Sequence, residues 1–313
     1  MGVKSYLRRT REQLLRVVRR NRGAVIPTPE YQTDYRNEWL FSERSQECST
    51  LLSHCPGTVR KPQVTIICLV YQSVEYAAFF IQHLEKVTPE LQSGEAKLLI
   101  VANDATDAVR AFIRNSGHSY LEVSNTRRTL TVLNQHGYAW PEYIARVYQG
   151  YNSGIKHAES REIVLMNSDN FPAPDWLYNL RKRLDRSRVV SPMLVQPHGP
   201  FPNPINKSLS LVRDFGGTLE EFQELEQEFV KWAEKEAKNA VCVGNPFMPV
   251  LAYKWQIELV GYFPECNIAK PDNEILLTGD TLLFKKLGLV DICHVNSCDS
   301  FVYHLQEGEK YNK

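Results

Sequence analysis

Glu162-Ile-Val-Leu-Met-Asn-Ser-Asp-Asn170 runs a short apolar segment straight into a polar turn bearing one acid. The run is too short for a buried helix and rich in β-branched residues, so it reads as a strand buried on both faces. Working outward, Val64 to Val70, Lys97 to Ala102 and Tyr120 to Val123 have the same character. Between these strands, Tyr76 to Val87, Ala105 to Arg114 and Glu142 to Ala158 carry helical spacing. Strand, helix and strand in alternation predict an α/β chain with an open, mainly parallel, Rossmann-like sheet and helices on both faces. In such sheets ligands sit beyond the carboxyl ends of the strands, so chemistry is sought just after each one.

The flanks are different. Lys4 to Arg22 holds eight Lys or Arg against one acid, Glu12, with Val3, Leu7, Leu14 and Val18 spaced to share a helical face. That predicts a basic amphipathic helix able to make peripheral contact with an anionic membrane surface, or to dock on protein. A polar stretch then runs to about Lys61, so residues 1–61 read as helix and linker, 62–195 as a nucleotide-binding half and 196–313 as an acceptor-binding and catalytic half of the same domain. After Ser191 the alternation stops, and a Pro-rich loop leads to an acidic helix from about Leu219 to Lys238.

Composition narrows the class. With 313 residues, 43% of them hydrophobic, the chain can bury a large core. A net charge of +1, from 37 basic and 36 acidic residues, gives no global field for nucleic acid. Seven cysteines without a C-x-x-C pair disfavour a disulfide framework and a cysteine zinc site, and the expected home is the cytoplasm, with peripheral contact at the inner face of the membrane through residues 4–22. No apolar run is long enough to span a bilayer.

Four clusters can bear chemistry. In Asn167-Ser-Asp169, an acid at the exposed end of a buried strand suits a hard divalent cation bridging phosphates; equally, Asp169 and Asn170 could cap a helix beginning near Pro174. His304, after an apolar β-like run, could add an imidazole to such an ion. Asp280, in Leu277-Thr-Gly-Asp280 at a helix start, could accept the proton of an attacking hydroxyl, or serve as a plain N-cap. The ends of the first two strands, Leu69-Val-Tyr-Gln-Ser73 and Ala102-Asn-Asp-Ala-Thr-Asp107, could receive a base and ribose, or be turns. No G-x-G-x-x-G or G-x-x-x-x-G-K-[ST] occurs, against a dehydrogenase or P-loop enzyme.

In chain order these clusters resemble the family 2 inverting glycosyltransferases of the GT-A fold. Val64 to Gln72 looks like that family's first strand and Leu99 to Asp107 like its second with the D-D-x-S-x-D turn. Tyr151-Asn-Ser-Gly-Ile-Lys-His-Ala158 resembles its R-N-x-G-x-x-x-A helix, and Asn167-Ser-Asp169 its D-x-D. Glu258-Leu-Val-Gly-Tyr-Phe-Pro-Glu265 is similar to F-E-x-V-G-G-F-D-E, Gly279-Asp280 falls at its E-D, and Tyr303-His304 resembles its late metal-binding histidine. The resemblance spans residues 62–310.

It implies a metal-dependent transferase moving a sugar from a nucleotide-sugar to a saccharide or other hydroxyl-bearing acceptor. Asp169 and His304 would hold Mn²⁺ or Mg²⁺, and Asp280 would be the general base. Leu69, Tyr71, Asn103, Asp104, Asn152, Asn167, Ser168 and Asp169 would form the donor side, while the Gly261 turn and Glu265 shape the acceptor side. Asn103, Tyr151, Asn167 and Gly279 depart from the family's residues. They leave open a degenerate alternative, a sugar-nucleotide-binding or scaffold protein without turnover.

Overall fold

The computed structural model describes residues 52–53, 62–124, 141–197, 211–244, 248–264, 268–269, 275–277 and 279–305. These fall in one compact unit, Arg44–Lys313. The basic segment 4–22, most of the Pro-rich loop, Trp140, Phe201 and Glu265 lie outside the described residues.

The first half contains β1 (Leu52–Ser53), β2 (Val64–Val70), α1 (Val74–Val87), α2 (Pro89–Ser93), β3 (Ala96–Asn103), α3 (Asp107–Arg114), β4 (Ser119–Val123), α4 (Pro141–His157) and β5 (Glu162–Asn167). The second contains β6 (Asn170–Pro172), α5 (Trp176–Arg181), β7 (Arg188–Gln196), β8 (Leu211–Val212), α6 (Leu219–Glu236), β9 (Val241–Val243), β10 (Val250–Tyr253), α7 (Lys254–Leu259), β11 (Ile268–Ala269), β12 (Ile275–Leu277), α8 (Gly279–Leu289) and β13 (Cys293–His304).

The main sheet runs β1-β4-β3-β2-β5-β10-β7-β13-β6, with β8 on β7 and β9 on β13. β4, β3, β2 and β5 are mutually parallel, as the alternation predicts. Beyond β5 the sheet turns mixed: β10 inserts antiparallel between β5 and β7, and β7 and β13 then run parallel.

All seven residues of β2 are buried because both faces of the sheet are covered. Val64, Ile66, Cys68 and Val70 enter one core with Phe80 and Leu84 of α1 and Phe222 and Phe229 of α6. Ile67 and Leu69 alternate into the opposite core with Tyr148, Tyr151 and Ile155 of α4 and Leu283 and Leu287 of α8. Each such side chain contributes about 1.5–3 kcal/mol of burial. Close packing of α4 on the sheet depends on Gly154, where a Cβ would stand 2.5 Å from Ile67 Cγ2. The acidic helix α6 begins in a capping box of Thr218 and Glu221, the reason it starts where its pattern does. Among the described residues no helix is long and apolar enough to cross a membrane.

Candidate functional site

The turn after β5 is held from three sides. Ser168 N–H donates to Leu69 O at 3.2 Å, tying the turn to the end of β2. Leu305 N–H donates to Asp169 O at 3.2 Å, tying it to the end of β13. Within the turn, Asn170 Oδ1 accepts from Asn167 N–H at 3.1 Å, and Asn170 Nδ2 donates to Asp169 Oδ1 at 3.1 Å. Neither Asp169 nor Asn170 caps the following helix, because the N-cap of α5 is Asp175.

Antiparallel pairing of β6 with β13 sets His304 opposite Asn170. One residue back, Asp169 Oδ2 lies 3.2 Å from His304 Nε2. The other imidazole nitrogen, Nδ1, is 3.0 Å from Gln196 Nε2 at the end of β7. Residues more than a hundred positions apart in sequence thus form one polar chain, Gln196–His304–Asp169–Asn170.

His304 and Asp169 are of residue types that can hold a divalent ion. His304 Nε2 and Asp169 Oδ2 stand close enough that both could hold one ion. Imidazole nitrogen with carboxylate oxygen suits a Mn-type ion better than Mg²⁺, whose ligands are oxygens. With an ion on Nε2, Nδ1 carries the proton and donates to the Gln196 amide oxygen, the alternative orientation of an amide whose O and N are assigned by their hydrogen bonds. Among the described residues no group of three or more His, Cys, Asp or Glu side chains could hold a metal.

Asp280 approaches from the other core. It is the second residue of α8, in the first helical turn, and its Oδ1 accepts from Thr281 N–H at 2.7 Å. A cleft of about 180 Å³ is lined by Asp280, His304, Asn167, Asn170, Tyr148 and Tyr151, with Val147, Leu194 and Met248 as its apolar wall. The sequence motifs around residues 167–170, 280 and 304 therefore share one cavity.

The donor-side residues divide. Leu69 is fully buried, as is Asn103, whose Nδ2 donates to Arg146 O at 3.0 Å. Both lie under Gly150, where a Cβ would stand 3.0 Å from Asn103 Nδ2 and 3.1 Å from Leu69 Cδ2. Asn152 is also buried, donating to Phe263 O and accepting from Phe263 N–H, both at 3.0 Å. Tyr71 and Asp104 are the half-buried pair on that edge. Asp104 adopts φ 52°, a left-handed conformation that short polar side chains tolerate, and its Oδ2 accepts from Arg146 Nε at 2.6 Å.

Two tyrosines of α4 also line the cleft, Tyr151 marked in the sequence only as a departure from a motif and Tyr148 not marked there as a site residue. Tyr151 Oη donates to Asn167 Oδ1 at 2.6 Å. Tyr148 Oη accepts from Asp280 N–H at 3.0 Å. With Asn152 they lie at helical spacing on one face, a signal present in the sequence but indistinguishable there from core packing. Phe263 stacks on both rings, with centroids at 5.3 and 5.7 Å.

No family model matches the chain and no curated protein matches it in sequence. Among solved structures it is similar to the mannosyltransferase PcManGT from Pyrobaculum calidifontis in complex with GDP-Man and Mn²⁺, at 16% identity and TM-score 0.48, over 81% of this chain and 59% of that one. It is similar to GalNAc-T7 with UDP, GalNAc and Mn²⁺ at 12% identity and TM-score 0.49, over 79% and 44%. It is similar to S. aureus TarS 1-349 at 14% identity and TM-score 0.47, over 77% and 60%. The chain spans three fifths or less of the length of each. At such scores the likeness is loose, and the functional reading rests on the site's own side chains.

Proposed function

We propose that the chain is a metal-dependent, inverting glycosyltransferase of the GT-A type, transferring a sugar from a nucleotide-sugar to an acceptor hydroxyl. The observation that carries this reading is convergence: Asn167, Asn170, His304 and Asp280 line one cleft, with Asp169 against His304. In this reading residues 62–195 bind the donor and residues 196–313 bind the acceptor and supply the base.

Asp169 and His304 would hold Mn²⁺ or Mg²⁺. Once bound, the ion supplies positive charge to a diphosphate leaving group. Tyr71 and Asp104 would meet the nucleoside, and Asn167 and Ser168 the donor beside the ion. Leu69, Asn103 and Asn152 support that edge from beneath. Asp280 takes the proton of the acceptor hydroxyl as its oxygen bonds to the anomeric carbon, and the bond from that carbon to the diphosphate oxygen breaks with its electron pair leaving on the nucleotide. Attack on the face opposite the leaving group inverts the centre.

The test is thermal stabilisation of the protein by UDP-, GDP-, dTDP- and CMP-linked sugars, with and without Mn²⁺. The expected result is stabilisation by one nucleotide class that needs Mn²⁺ and disappears in Asp169→Ala. Nucleotide release should then accompany slow sugar transfer to water. No shift with any donor overturns the reading in favour of a scaffold on the same fold. A donor shift without any transfer points to a sugar-nucleotide-binding protein.

A further inference from the structure

We infer that Tyr148 is the positioning residue for Asp280, orienting its carboxylate from helix α4; this rests on the transferase reading above. The two residues are 132 positions apart, yet Tyr148 Oη accepts from Asp280 N–H at 3.0 Å. The Gly279 amide and the Asp280 carboxylate are the other polar groups acting on that hydroxyl. An amide can only donate to the phenol oxygen, so the phenol proton is left for the carboxylate. Burial, then the neighbouring Asp280 charge, pushes the phenol well above its ordinary range, keeping it a protonated donor. Thr281 N–H holds Asp280 Oδ1 from the other side.

The ring is fixed as firmly as its hydroxyl. Phe263 stacks on it with an interplanar angle of 6°, and Phe263 is pinned at both its amide and its carbonyl by Asn152, one turn along α4. Gly279 makes the close approach possible, since a Cβ there would overlap the Tyr148 ring. The glycine preceding the base, one of the chain's departures from its motif, is therefore a steric requirement of the tyrosine. His304 lines the same cleft as Asp280, and Asp169 stands against His304.

A general base must stand within hydrogen-bond reach of its proton, and misplacement by about 1 Å costs on the order of 10²-fold in rate. Tyr148→Phe keeps the packed ring and removes only the hydroxyl. The experiment measures nucleotide release from the stabilising member of the UDP-, GDP-, dTDP- and CMP-sugar panel with Mn²⁺, using the full chain, in Tyr148→Phe, Asp280→Asn and the double variant. Tyr148→Phe is expected to lower kcat about 10- to 100-fold with the donor KM unchanged. It should add nothing in the Asp280→Asn background, because its effect passes through the carboxylate. Gly279→Ala, which displaces the ring, should reproduce the kcat loss while donor-dependent stabilisation persists. A Tyr148→Phe kcat within twofold of wild type, or losses that multiply in the double variant, overturns the inference alone. A wild type without nucleotide release removes the transferase reading and this inference with it.

Discussion

Two acids follow two parallel strands of the same sheet, and their surroundings differ in kind. Asp104, after β3, is gripped by the guanidinium of Arg146, with Nε and Nη2 2.6 and 2.5 Å from one carboxylate oxygen. Asp169, after β5, meets an imidazole, and its second oxygen meets a neutral amide. A guanidinium carries a fixed charge and has no lone pair to give. An imidazole can turn a lone pair toward an ion beside the carboxylate. The same sheet edge therefore holds one acid committed to an internal ion pair and one whose partner is itself a potential ligand.

Substitution should separate them. The largest expected effect is Asp169→Asn, which keeps size and amide hydrogen bonding but removes the anionic ligand. Turnover with Mn²⁺ should fall by about 10³-fold, the order of about 4 kcal/mol, with little change in melting temperature. Asp104→Asn should cost stability, with the Mn²⁺ requirement kept. It takes the anion from a guanidinium that is only 11% exposed, and denaturant unfolding should show a loss of roughly 2–3 kcal/mol, below the 3–5 of complete burial. Equal destabilisation by both would erase the distinction, and a Mn²⁺-dependence lost in Asp104→Asn rather than Asp169→Asn would invert it.

The smaller third effect concerns Asn170, which orients the Asp169 carboxylate while closing the turn through Asn167 N–H. Asn170→Ala should weaken Mn²⁺ about tenfold, measured as the concentration giving half-maximal donor stabilisation, because partners that orient a ligand are worth about 10- to 100-fold in metal affinity. An unchanged Mn²⁺ requirement would mean that Asp169 is held well enough by Leu305 N–H and the backbone alone.

Much of this was legible in advance, and for identifiable reasons. Val64–Val70 and the helix ending near residue 157 announce themselves because burial on two faces leaves continuous apolar runs, and helix α4 has a long amphipathic period. Asp169, Asp280 and His304 stand out because charged or imidazole groups at the ends of apolar segments are unusual. What the chain does not announce is pairing between distant segments. β10 is a four-residue insertion between β5 and β7, and its antiparallel direction is set by both neighbours rather than by its own sequence. Asn103 reads as a ligand-binding polar residue at a strand end, yet its amide serves the backbone of α4. Tyr148 reads as core because its ring is core; only its last atom belongs to the site. Residue type reports chemistry available, while which atom faces which cavity depends on contacts across more than a hundred residues.

The last and smallest effect contrasts two histidines on one strand. His304, at the end of β13, opens onto the cleft, whereas His294, near its start, stacks on Phe284 of α8 at 4.1 Å and lies 2.8 Å from Ser191 Oγ. Burial holds His294 down to about 3, against an ordinary value of 6.5. A histidine whose folded value is depressed binds protons better when unfolded, so its stabilising contribution is complete above about pH 6.5 and is lost as pH falls toward 3. Between pH 7 and 5.5 this amounts to about 1 kcal/mol. Urea unfolding at the two pH values should show that loss in the wild type and a flatter dependence in His294→Phe, which keeps the stacked ring without a titrating nitrogen. If His294→Phe loses stability in parallel with the wild type over that interval, the acid sensitivity belongs to another group, and the contrast between the stacked His294 and the cleft-facing His304 on β13 would rest on geometry alone.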